Sequence, residues 1–536
     1  MSDRIEGNIV NVVGKEVFGG SVEMKNGFIT AIHRHPTGRK SYIMPGFVDA
    51  HMHIESSMLT PENFGKVVIR EGTVAVVTDP HEIANVMGVA GVDFMVENSK
   101  NSPLKTFFTI PSCVPATPFD CSGGVISSVD VEKLAASGRF VGLSEMMDIP
   151  GVLSGNKEVI AKLDTARKYR LPIDGHAPLL SGSALDTYVS HGISTDHEST
   201  SLAEAEEKLA LGLKILIREG SAAHNYEALK SLIGSHPEIV MFCTDDSHAY
   251  ELLTMGHIRK LVARSVANGF DLFDVLRIAS INPIRHYHLD VGQLRVGDKA
   301  DFIVVDNLET FDVERVYIDG VERMQTTSPS VAPISLNNFN RDKIAVSSLR
   351  KAVSGETKVI SLVEGELLTA VYTYSPGSPV ENLESDPNED IAKIVYLNRY
   401  NNGTPQVAFC KGFQLQKGAF ASSIAHDSHN IIAVGNSDRE LTAAINAVIE
   451  NKGGLSVCCD GKMELLALPV GGIMSDRPGE EVADTYQRLD TQLKLLGCNL
   501  DAPFMTLSFL SLVVIPEIKI GEKGLFSYTD FNWMEV

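Results

Sequence analysis

Residues 44–53 read Met44-Pro-Gly-Phe-Val-Asp-Ala-His-Met-His53, and this stretch predicts a buried strand over Phe47–Asp49 that runs into two histidines. Because side chains alternate along an extended chain, His51 and His53 point to the same side. Two imidazoles at this spacing can bind one divalent ion. Two hydrogen-bonded histidines near a turn are the alternative for an isolated His-x-His, so the rest of the sequence has to decide.

Seven more strand candidates follow, each apolar or β-branched and separated from the next by a helical pattern. Eight strand–helix units in about 240 residues predict a (β/α)₈ barrel of the TIM type. An open doubly wound sheet is the alternative, but no glycine-rich phosphate fingerprint follows the first strand. The strands are predicted at Thr73–Thr78, Thr106–Ile110, Phe140–Ser144, Pro172–Asp174, Ile193–Asp196, Lys214–Ile217 and Ile239–Cys243. The helices are predicted at Pro61–Arg70, Glu82–Lys100, Val131–Ala136, Lys157–Tyr169, Ala184–His191, Leu202–Leu211, Tyr226–Ile233 and Glu251–Asn268.

The segments on either side of the barrel are rich in β structure. Residues 1–44 read as short strands with turns at Gly14, Gly19–Gly20 and Asn26–Gly27. Residues 290–342 begin with a second β-rich stretch and end in a polar linker near Gln325–Asp342. We expect the two segments to pair as a small β-sandwich interrupted by the barrel at 45–289, and residues 343–536 to form a separate C-terminal α/β domain.

Composition narrows the function classes. Lys and Arg number 47 against 68 Asp and Glu, so the net charge of −21 disfavours nucleic acid as a partner. No signal peptide and no membrane-spanning stretch is recognised, so no membrane partner is expected. Seven scattered cysteines without a Cys-x-x-Cys pair argue against a disulfide framework and a thiolate zinc site. A cytoplasmic location is therefore predicted.

Further candidate metal ligands stand at the ends of other predicted strands. Glu145, His176, His197 and Asp245 each follow a strand directly. Catalytic groups of TIM barrels come from these strand ends, so the four side chains should meet the two histidines of the first strand. Each alone could be a structural polar group. Four histidines and two carboxylates together suit two first-row divalent ions such as Mn, Fe or Zn better than Mg or Ca.

The first-strand motif, followed by His, His and Asp in this order, resembles the amidohydrolase superfamily. Many binuclear members bridge their metals with a carboxylated lysine on strand four, where this sequence has Glu145. A glutamate at this position resembles the adenine deaminases of the superfamily. Longer stretches of sequence extend this resemblance over nearly the whole chain. These strings are His53-Ile-Glu-Ser-Ser-Met58, Asp79-Pro-His-Glu-Ile-Ala-Asn-Val-Met-Gly88, Ile217-Arg-Glu-Gly-Ser221, Cys243-Thr-Asp-Asp246 and Ser423-Ile-Ala-His-Asp-Ser-His-Asn430.

The resemblance implies hydrolysis of adenine to hypoxanthine and ammonia by attack of a metal-bridging hydroxide at C6, in purine salvage or adenine catabolism. It implies two divalent ions, with Mn expected before Fe or Zn. Asp245 would pass the hydroxide proton to the leaving nitrogen, and Glu82 would protonate the ring, with Asp79 beside it. The expected adenine-binding residues are Ser57, His81, Arg218 and Ser221. A homodimer or higher homo-oligomer is also expected.

Two other interpretations of the function stay open. The chain could act on a cyclic amide or an N-acyl substrate, or it could be a scaffold that has lost its chemistry. The zinc nucleoside deaminases are excluded because the sequence has no Pro-Cys-x-x-Cys motif. His426 and His429 form a possible C-terminal site that would close the active site or hold another metal, and a structural turn is the alternative.

Overall fold

Strands and helices alternate along most of the computed structural model, which describes residues 3–221, 223–324, 336–363 and 367–534. Of the predicted linker Gln325–Asp342, residues 325–335 lie outside the described residues. The strands are β1 (Asp3–Asn11), β2 (Glu16–Lys25), β3 (Phe28–Arg34), β4 (Tyr42–Pro45), β5 (Phe47–Met52), β6 (Thr73–Thr78), β7 (Lys105–Ile110), β8 (Phe140–Met146), β9 (Ile173–Gly175), β10 (Thr195–Asp196), β11 (Lys214–Arg218), β12 (Met241–Cys243), β13 (Phe302–Val305), β14 (Val313–Ile318), β15 (Val321–Glu322), β16 (Thr357–Leu362), β17 (Thr369–Tyr374), β18 (Ser385–Asp386), β19 (Ile391–Leu397), β20 (Gln406–Lys411), β21 (Ala419–Ala425), β22 (Asn430–Gly435), β23 (Gly454–Cys459), β24 (Lys462–Ala467), β25 (Ile518–Gly521), β26 (Gly524–Ser527) and β27 (Asn532–Trp533).

The helices fall mainly between the strands of the middle of the chain. They are α1 (Pro61–Val68), α2 (His81–Met87), α3 (Val89–Ser99), α4 (Ser128–Ala136), α5 (Ile149–Ser154), α6 (Lys157–Tyr169), α7 (Gly182–Ser190), α8 (Leu202–Ala210), α9 (Tyr226–Leu229), α10 (Leu232–Ser235), α11 (Ala249–Thr254), α12 (Ile258–Ala267), α13 (Leu272–Leu276), α14 (Asn282–His286), α15 (Asp438–Glu450), α16 (Gly479–Leu495) and α17 (Pro503–Phe509). None of the helices in the described parts of the chain combines the length and the apolar character that crossing a bilayer requires.

Strands β5 to β12 form the predicted barrel. They pair in parallel as a five-stranded sheet, β5 to β9, and a three-stranded sheet, β10 to β12. Ser194 N donates to Ile173 O at 2.8 Å and joins the two sheets on one side. On the other side Asp245 N donates to His51 O at 3.0 Å, which closes the ring. All residues of β5 and β6 are buried, as expected for strands covered on both faces.

Two predicted helices are each divided in two by a glycine. The predicted helix Glu82–Lys100 is broken at Gly88, whose φ of 60° and ψ of −144° lie in a region that glycine adopts readily and other residues do not. The predicted helix Glu251–Asn268 is broken at Gly256, where φ is 87°. Hydrophobic periodicity continues across both breaks, so it predicts one helix where the backbone turns.

The segments before and after the barrel pair in one seven-stranded sheet of order β15-β14-β13-β4-β1-β2-β3. The connection is the antiparallel pair β4 and β13, in which Ile43 lies opposite Val304. The turn expected at Gly19–Gly20 is wrong, because both residues lie inside β2. A Cβ atom on Gly20 would lie 2.1 Å from His33 O in β3, so the glycine permits close approach of the neighbouring strand. The predicted domain boundaries stay predictions.

The C-terminal part of the chain lies against the barrel. Its nine-stranded sheet has the order β17-β16-β20-β19-β22-β21-β23-β24, with β18 beside β19. Helix α16 packs against α11 of the barrel. Ser475 N donates to Met58 O at 2.8 Å, and Asn63 Nδ2 donates to Arg477 O at 2.9 Å. These contacts hold the C-terminal sheet next to the residues that follow β5, where the site lies.

One buried ion pair stabilises the barrel beside the site. Lys208 on α8 is fully buried, and its Nζ donates to Asp196 Oδ2 at 2.9 Å and to Ala177 O at 2.6 Å. Asp196 ends β10, and its other oxygen accepts from Ala177 N at 3.0 Å. A buried carboxylate that loses its cation is left with an uncompensated charge, so the pair is sensitive to removal of either partner.

We expect Lys208→Met to lower the free energy of unfolding by about 3–5 kcal/mol, because Asp196 would remain buried without its cation. Denaturant titration followed by circular dichroism measures the change. Lys230→Met is the matched control, since it removes an exposed pair with Glu227, and it should cost less than about 0.5 kcal/mol. Equal losses in the two variants would contradict the buried-pair interpretation.

Candidate metal centre

The two histidines of the first strand are held in place by a buried aspartate. The Asp49 carboxylate accepts hydrogen bonds from His51 N at 3.2 Å and Thr244 Oγ1 at 2.5 Å, and it lies 2.9 Å from His257 Nε2. It therefore ties β5 to the residues after β12 and to the start of α12. This role of Asp49 was not predicted from the sequence. A charged side chain inside an otherwise apolar strand was the available signal, since such groups are rarely buried without partners.

The structure brings the six predicted ligands together at the carboxyl ends of the barrel strands. His51 Nε2 lies 3.3 Å and His53 Nε2 lies 3.2 Å from Asp245 Oδ1. The rings of His51 and His197 stack with centroids 4.2 Å apart. The side chain of His176 is 12% exposed and those of the other five are at most 6% exposed. The cluster is thus shielded from solvent almost completely.

Glu145, at the end of β8, lies between two sets of histidines. Its Oε1 is 3.3 Å from His53 Nε2. Its Oε2 is 2.8 Å from His176 Nδ1 and 3.2 Å from His197 Nε2. One carboxylate oxygen therefore faces His53 and, at 3.5 Å, His81 Nδ1, and the other faces His176 and His197. This is the arrangement that a carboxylate bridging two cations requires.

Both buried carboxylates of the cluster are held in the charged form. Burial favours the neutral acid of Glu145, but contacts with His176, His197 and His53 hold its pKa well below the usual value. Burial acts in the same direction on Asp245, and Arg218 and His51 hold the pKa of that carboxyl well below its usual value. Two ionised carboxylates among four imidazoles are an anionic donor set.

This donor set fits divalent metal ions. Within the described residues His51 Nε2 is buried without a hydrogen-bonding partner, as a ligand nitrogen would be when its ion is removed. His53 Nδ1 lies 3.1 Å from Asp79 O, which directs its Nε2 towards the cluster. The ligand atoms of His51, His53 and Asp245 lie within 4.8 Å of one another, and so do those of His51, Glu145 and His197.

Glu82 and His81, in the first turn of α2, line the same cavity. His81 Nδ1 lies 2.7 Å from Asp79 Oδ2, and His81 Nε2 lies 3.5 Å from Glu82 Oε1. Asp79, which was predicted to be catalytic, does not line the cavity. It contacts His81 and, through its carbonyl, His53, and its catalytic role stays a prediction.

Arg218, predicted to bind the substrate, lines the cavity between two carboxylates. Its Nη1 donates to Asp245 Oδ2 at 2.7 Å and also to Glu198 Oε1. Glu198 lies 3.3 Å from His197 Nε2 and lines the cavity as well. The position of Glu198 in the cavity was not predicted from the sequence. The available signal was that Glu198 directly follows His197 at the end of a strand.

Two other predicted substrate-binding residues are not brought to the cavity. Ser57 Oγ donates to Ile54 O at 2.6 Å and accepts from Leu59 N at 3.2 Å, within its own turn. Ser221 Oγ donates to Glu251 and accepts from His248 N at 2.9 Å. Both hydroxyl groups thus hold loops in this structure, and their role in binding the substrate stays a prediction.

The cavity has a wall that sequence analysis did not foresee. Leu367, Phe509, Leu512 and Ile515 of the C-terminal part line it opposite the barrel residues. Asp246 adds a carboxylate, which accepts from Ser56 Oγ at 2.5 Å. An apolar wall facing converging polar groups is the lining expected of a site for a small molecule of mixed polarity.

His426 and His429 lie in the turn between β21 and β22 and reach the same site. His426 Nδ1 is 2.9 Å from Glu82 Oε1, and His429 Nε2 contacts Glu82 Oε2. Burial opposes ionisation of Glu82, but His426, His429 and His81 hold its pKa well below the usual value. The C-terminal part therefore contributes directly to the environment of a cavity carboxylate.

Comparison with known proteins agrees with this geometry. The amidohydrolase family model matches residues 42–323, and the adenine deaminase C-terminal domain model matches residues 366–532. Membership of the amidohydrolase family implies a divalent metal centre, and the six candidate ligands at the strand ends lie inside the matched residues.

Curated relatives match along nearly the whole chain. An adenine deaminase of Methanosarcina acetivorans is 48% identical over 99% of this chain and 98% of that protein. The adenine deaminase of Parabacteroides distasonis is 45% identical over 99% and 98%, and that of Borreliella burgdorferi is 42% identical over 99% and 99%. The chain belongs to the amidohydrolase family and, within it, to the adenine deaminases.

Proposed function

We propose that this protein deaminates adenine to hypoxanthine and ammonia with the help of two divalent ions. The observation that carries the proposal is the Glu145 carboxylate, whose two oxygens face two different sets of histidines. The similarity to adenine deaminases over 99% of the chain supports adenine as the substrate. Action on a cyclic amide or N-acyl substrate remains the second candidate, but no contact in the cavity favours it.

Six residues would hold the two ions. We assign His51 and His53 to one ion, His176 and His197 to the other, and Glu145 to the position between them, with Asp245 as the remaining carboxylate. Imidazole with carboxylate suits Mn, Fe or Zn, and Mn is our first choice. When bound, the ions supply the Lewis acidity that makes water nucleophilic near neutral pH.

Two carboxylates move the protons of the reaction. A water oxygen forms a bond to C6 of adenine, and the bond from C6 to the amino nitrogen breaks. Asp245, ionised beside Arg218, accepts one proton of the water and transfers it to the leaving nitrogen, which departs as ammonia. Glu82, ionised among its histidines, accepts the other proton and transfers it to the adjacent ring nitrogen. The products are hypoxanthine and ammonia, so all atoms balance.

The remaining cavity residues bind and orient the base. His81 is oriented by Asp79 and faces the cavity with Nε2. Arg218 Nη1 is occupied by two carboxylates, while its Nε has no partner among the described residues. The apolar wall from the C-terminal part packs against the purine face. A homodimer or higher homo-oligomer stays a prediction.

Removal of the metal should abolish turnover. We expect chelated protein to be inactive with adenine, and two equivalents of Mn, Fe or Zn per chain to restore ammonia release. Mg and Ca serve as controls and should restore little, because imidazole-rich sites bind them weakly. Full activity at one ion per chain, measured by mass spectrometry of the metals beside the rate, would contradict the assignment of two ions.

The free base should be strongly preferred to the nucleoside. Because residues of the C-terminal part line the cavity, we expect ribose on adenine to collide with this wall. We expect kcat/KM for adenosine to be lower than for adenine by about two orders of magnitude or more. Ammonia release from the two substrates, and from a panel of cyclic amides, measures the preference. Comparable kcat/KM values for adenine and adenosine would contradict the proposal that the C-terminal wall excludes ribose.

Glu145→Gln tests the bridging position. The amide keeps the shape but removes the negative charge that would offset the repulsion between two neighbouring cations. We expect the variant to retain fewer than two ions per chain and to lose activity by about 100-fold or more. Its thermal unfolding should stay near that of the wild type, because the barrel core is unchanged.

The matched control for this variant is Glu132→Gln, which makes the same substitution at an exposed ion pair with Lys168 outside the site. It should keep both the metal content and the rate. If Glu145→Gln also binds two ions and turns adenine over within a few-fold of the wild type, Glu145 is a structural strand-end group.

A further inference from the structure

The Glu82 carboxylate is held by imidazoles from two parts of the chain. Among the described residues its polar contacts are His81, from the same helix turn, and two histidines of the C-terminal part. His426 Nδ1 approaches Oε1 at 2.9 Å, and His429 Nε2 approaches Oε2. Each oxygen therefore has its own nitrogen from the turn between β21 and β22. Glu82, His426 and His429 are each at most 4% exposed.

The turn that carries the two histidines is itself anchored firmly. His426 N donates to Ser508 O at 3.2 Å, and Ser511 Oγ donates to His426 O at 3.0 Å. The ring of His426 stacks on Phe509 with centroids 4.6 Å apart and planes at 12°. Helix α17 and the residues after it thereby fix the plane of the imidazole that faces Glu82.

The other end of the turn is fixed by both parts of the chain. Tyr400 OH donates to Ser428 O at 2.7 Å. Asn430, next to His429, donates through Nδ2 to Cys121 O at 2.8 Å, and Cys121 belongs to the barrel loop after β7. These hydrogen bonds at both ends of the turn restrict where its two imidazoles can place the Glu82 carboxylate.

We propose that His426 and His429 are positioning residues that orient the Glu82 carboxylate for proton transfer, so that the C-terminal part completes the active site of the barrel. This proposal rests on the role of Glu82 in the proposed function. Each histidine acts through Glu82 and not by contact with the reacting atoms. A proton-transfer group is effective only when it is held within hydrogen-bonding reach of its target.

The two histidines use different ring nitrogens, which gives a selective test. An asparagine amide nitrogen reproduces the place of histidine Nδ1, and a glutamine amide nitrogen reproduces the place of Nε2. His426→Asn and His429→Gln therefore keep a donor in contact with Glu82. His426→Gln and His429→Asn remove the ring in the same way but move the donor to another position.

We expect His426→Asn and His429→Gln to keep kcat for adenine within about tenfold of the wild type. In His426→Gln and His429→Asn we expect kcat to fall by about 100-fold or more. KM and the content of two ions per chain should change little in all four variants. In the Glu82→Gln background, His429→Asn should cause no further loss, because its effect passes through Glu82. Thermal unfolding of the four proteins checks that the amides are tolerated equally.

Several outcomes would overturn the proposal. If the asparagine and glutamine variants of one histidine lose kcat equally, the imidazole ring of that histidine is only structural. If His429→Asn lowers kcat further in the Glu82→Gln background, His429 acts independently of Glu82. A third ion in the wild type that is lost in the histidine variants would make the turn a metal site. If Glu82→Gln itself turns adenine over within a few-fold of the wild type, the role of Glu82 in the proposed function fails instead.

Discussion

The buried Glu145 carboxylate is the constraint on which the rest of the site depends. It contacts the imidazoles of His53, His81, His176 and His197 and is almost fully buried, so its charge has to be balanced by protons on those rings or by cations. The barrel supplies the second carboxylate from the opposite side, and Arg218 and Glu198 continue the alternation of charges outwards. The members of this site come from different strands of the barrel, so the shared core of the barrel fixes their positions relative to one another.

The barrel could be predicted because its physical signals are local. Strands buried on both faces read as apolar runs, and Thr73–Thr78 is predicted with the bounds that β6 has. The candidate ligands could be predicted for the same reason, since strand ends in a barrel converge whatever lies between them. The prediction of two continuous helices failed at Gly88 and Gly256. There the backbone conformation of a single glycine ends a helix although the hydrophobic pattern of the sequence continues.

The parts of the site that escaped prediction depend on contacts between distant segments. Ser57 and Ser221 stand in strings that resemble the family, yet their hydroxyl groups hold loops. Glu198 was overlooked because its partner Arg218 belongs to the next strand of the barrel. The apolar wall around Phe509 comes from the far end of the chain, and no periodicity relates it to the barrel. Sequence patterns report what an element buries and not which distant residue it meets.

The position of the C-terminal part follows from the chemistry of the barrel mouth. A parallel barrel leaves its reactive strand ends open to solvent, where water competes for every polar contact and weakens each charge interaction. Covering that end with an apolar wall strengthens the interactions beneath it, but it also buries carboxylates such as Glu82 that need partners. The covering segment meets this need by bringing His426 and His429 with it. The C-terminal part therefore both excludes water from the site and compensates the buried charge of Glu82. Without His426 and His429, His81 would be the one imidazole left in contact with Glu82 among the described residues.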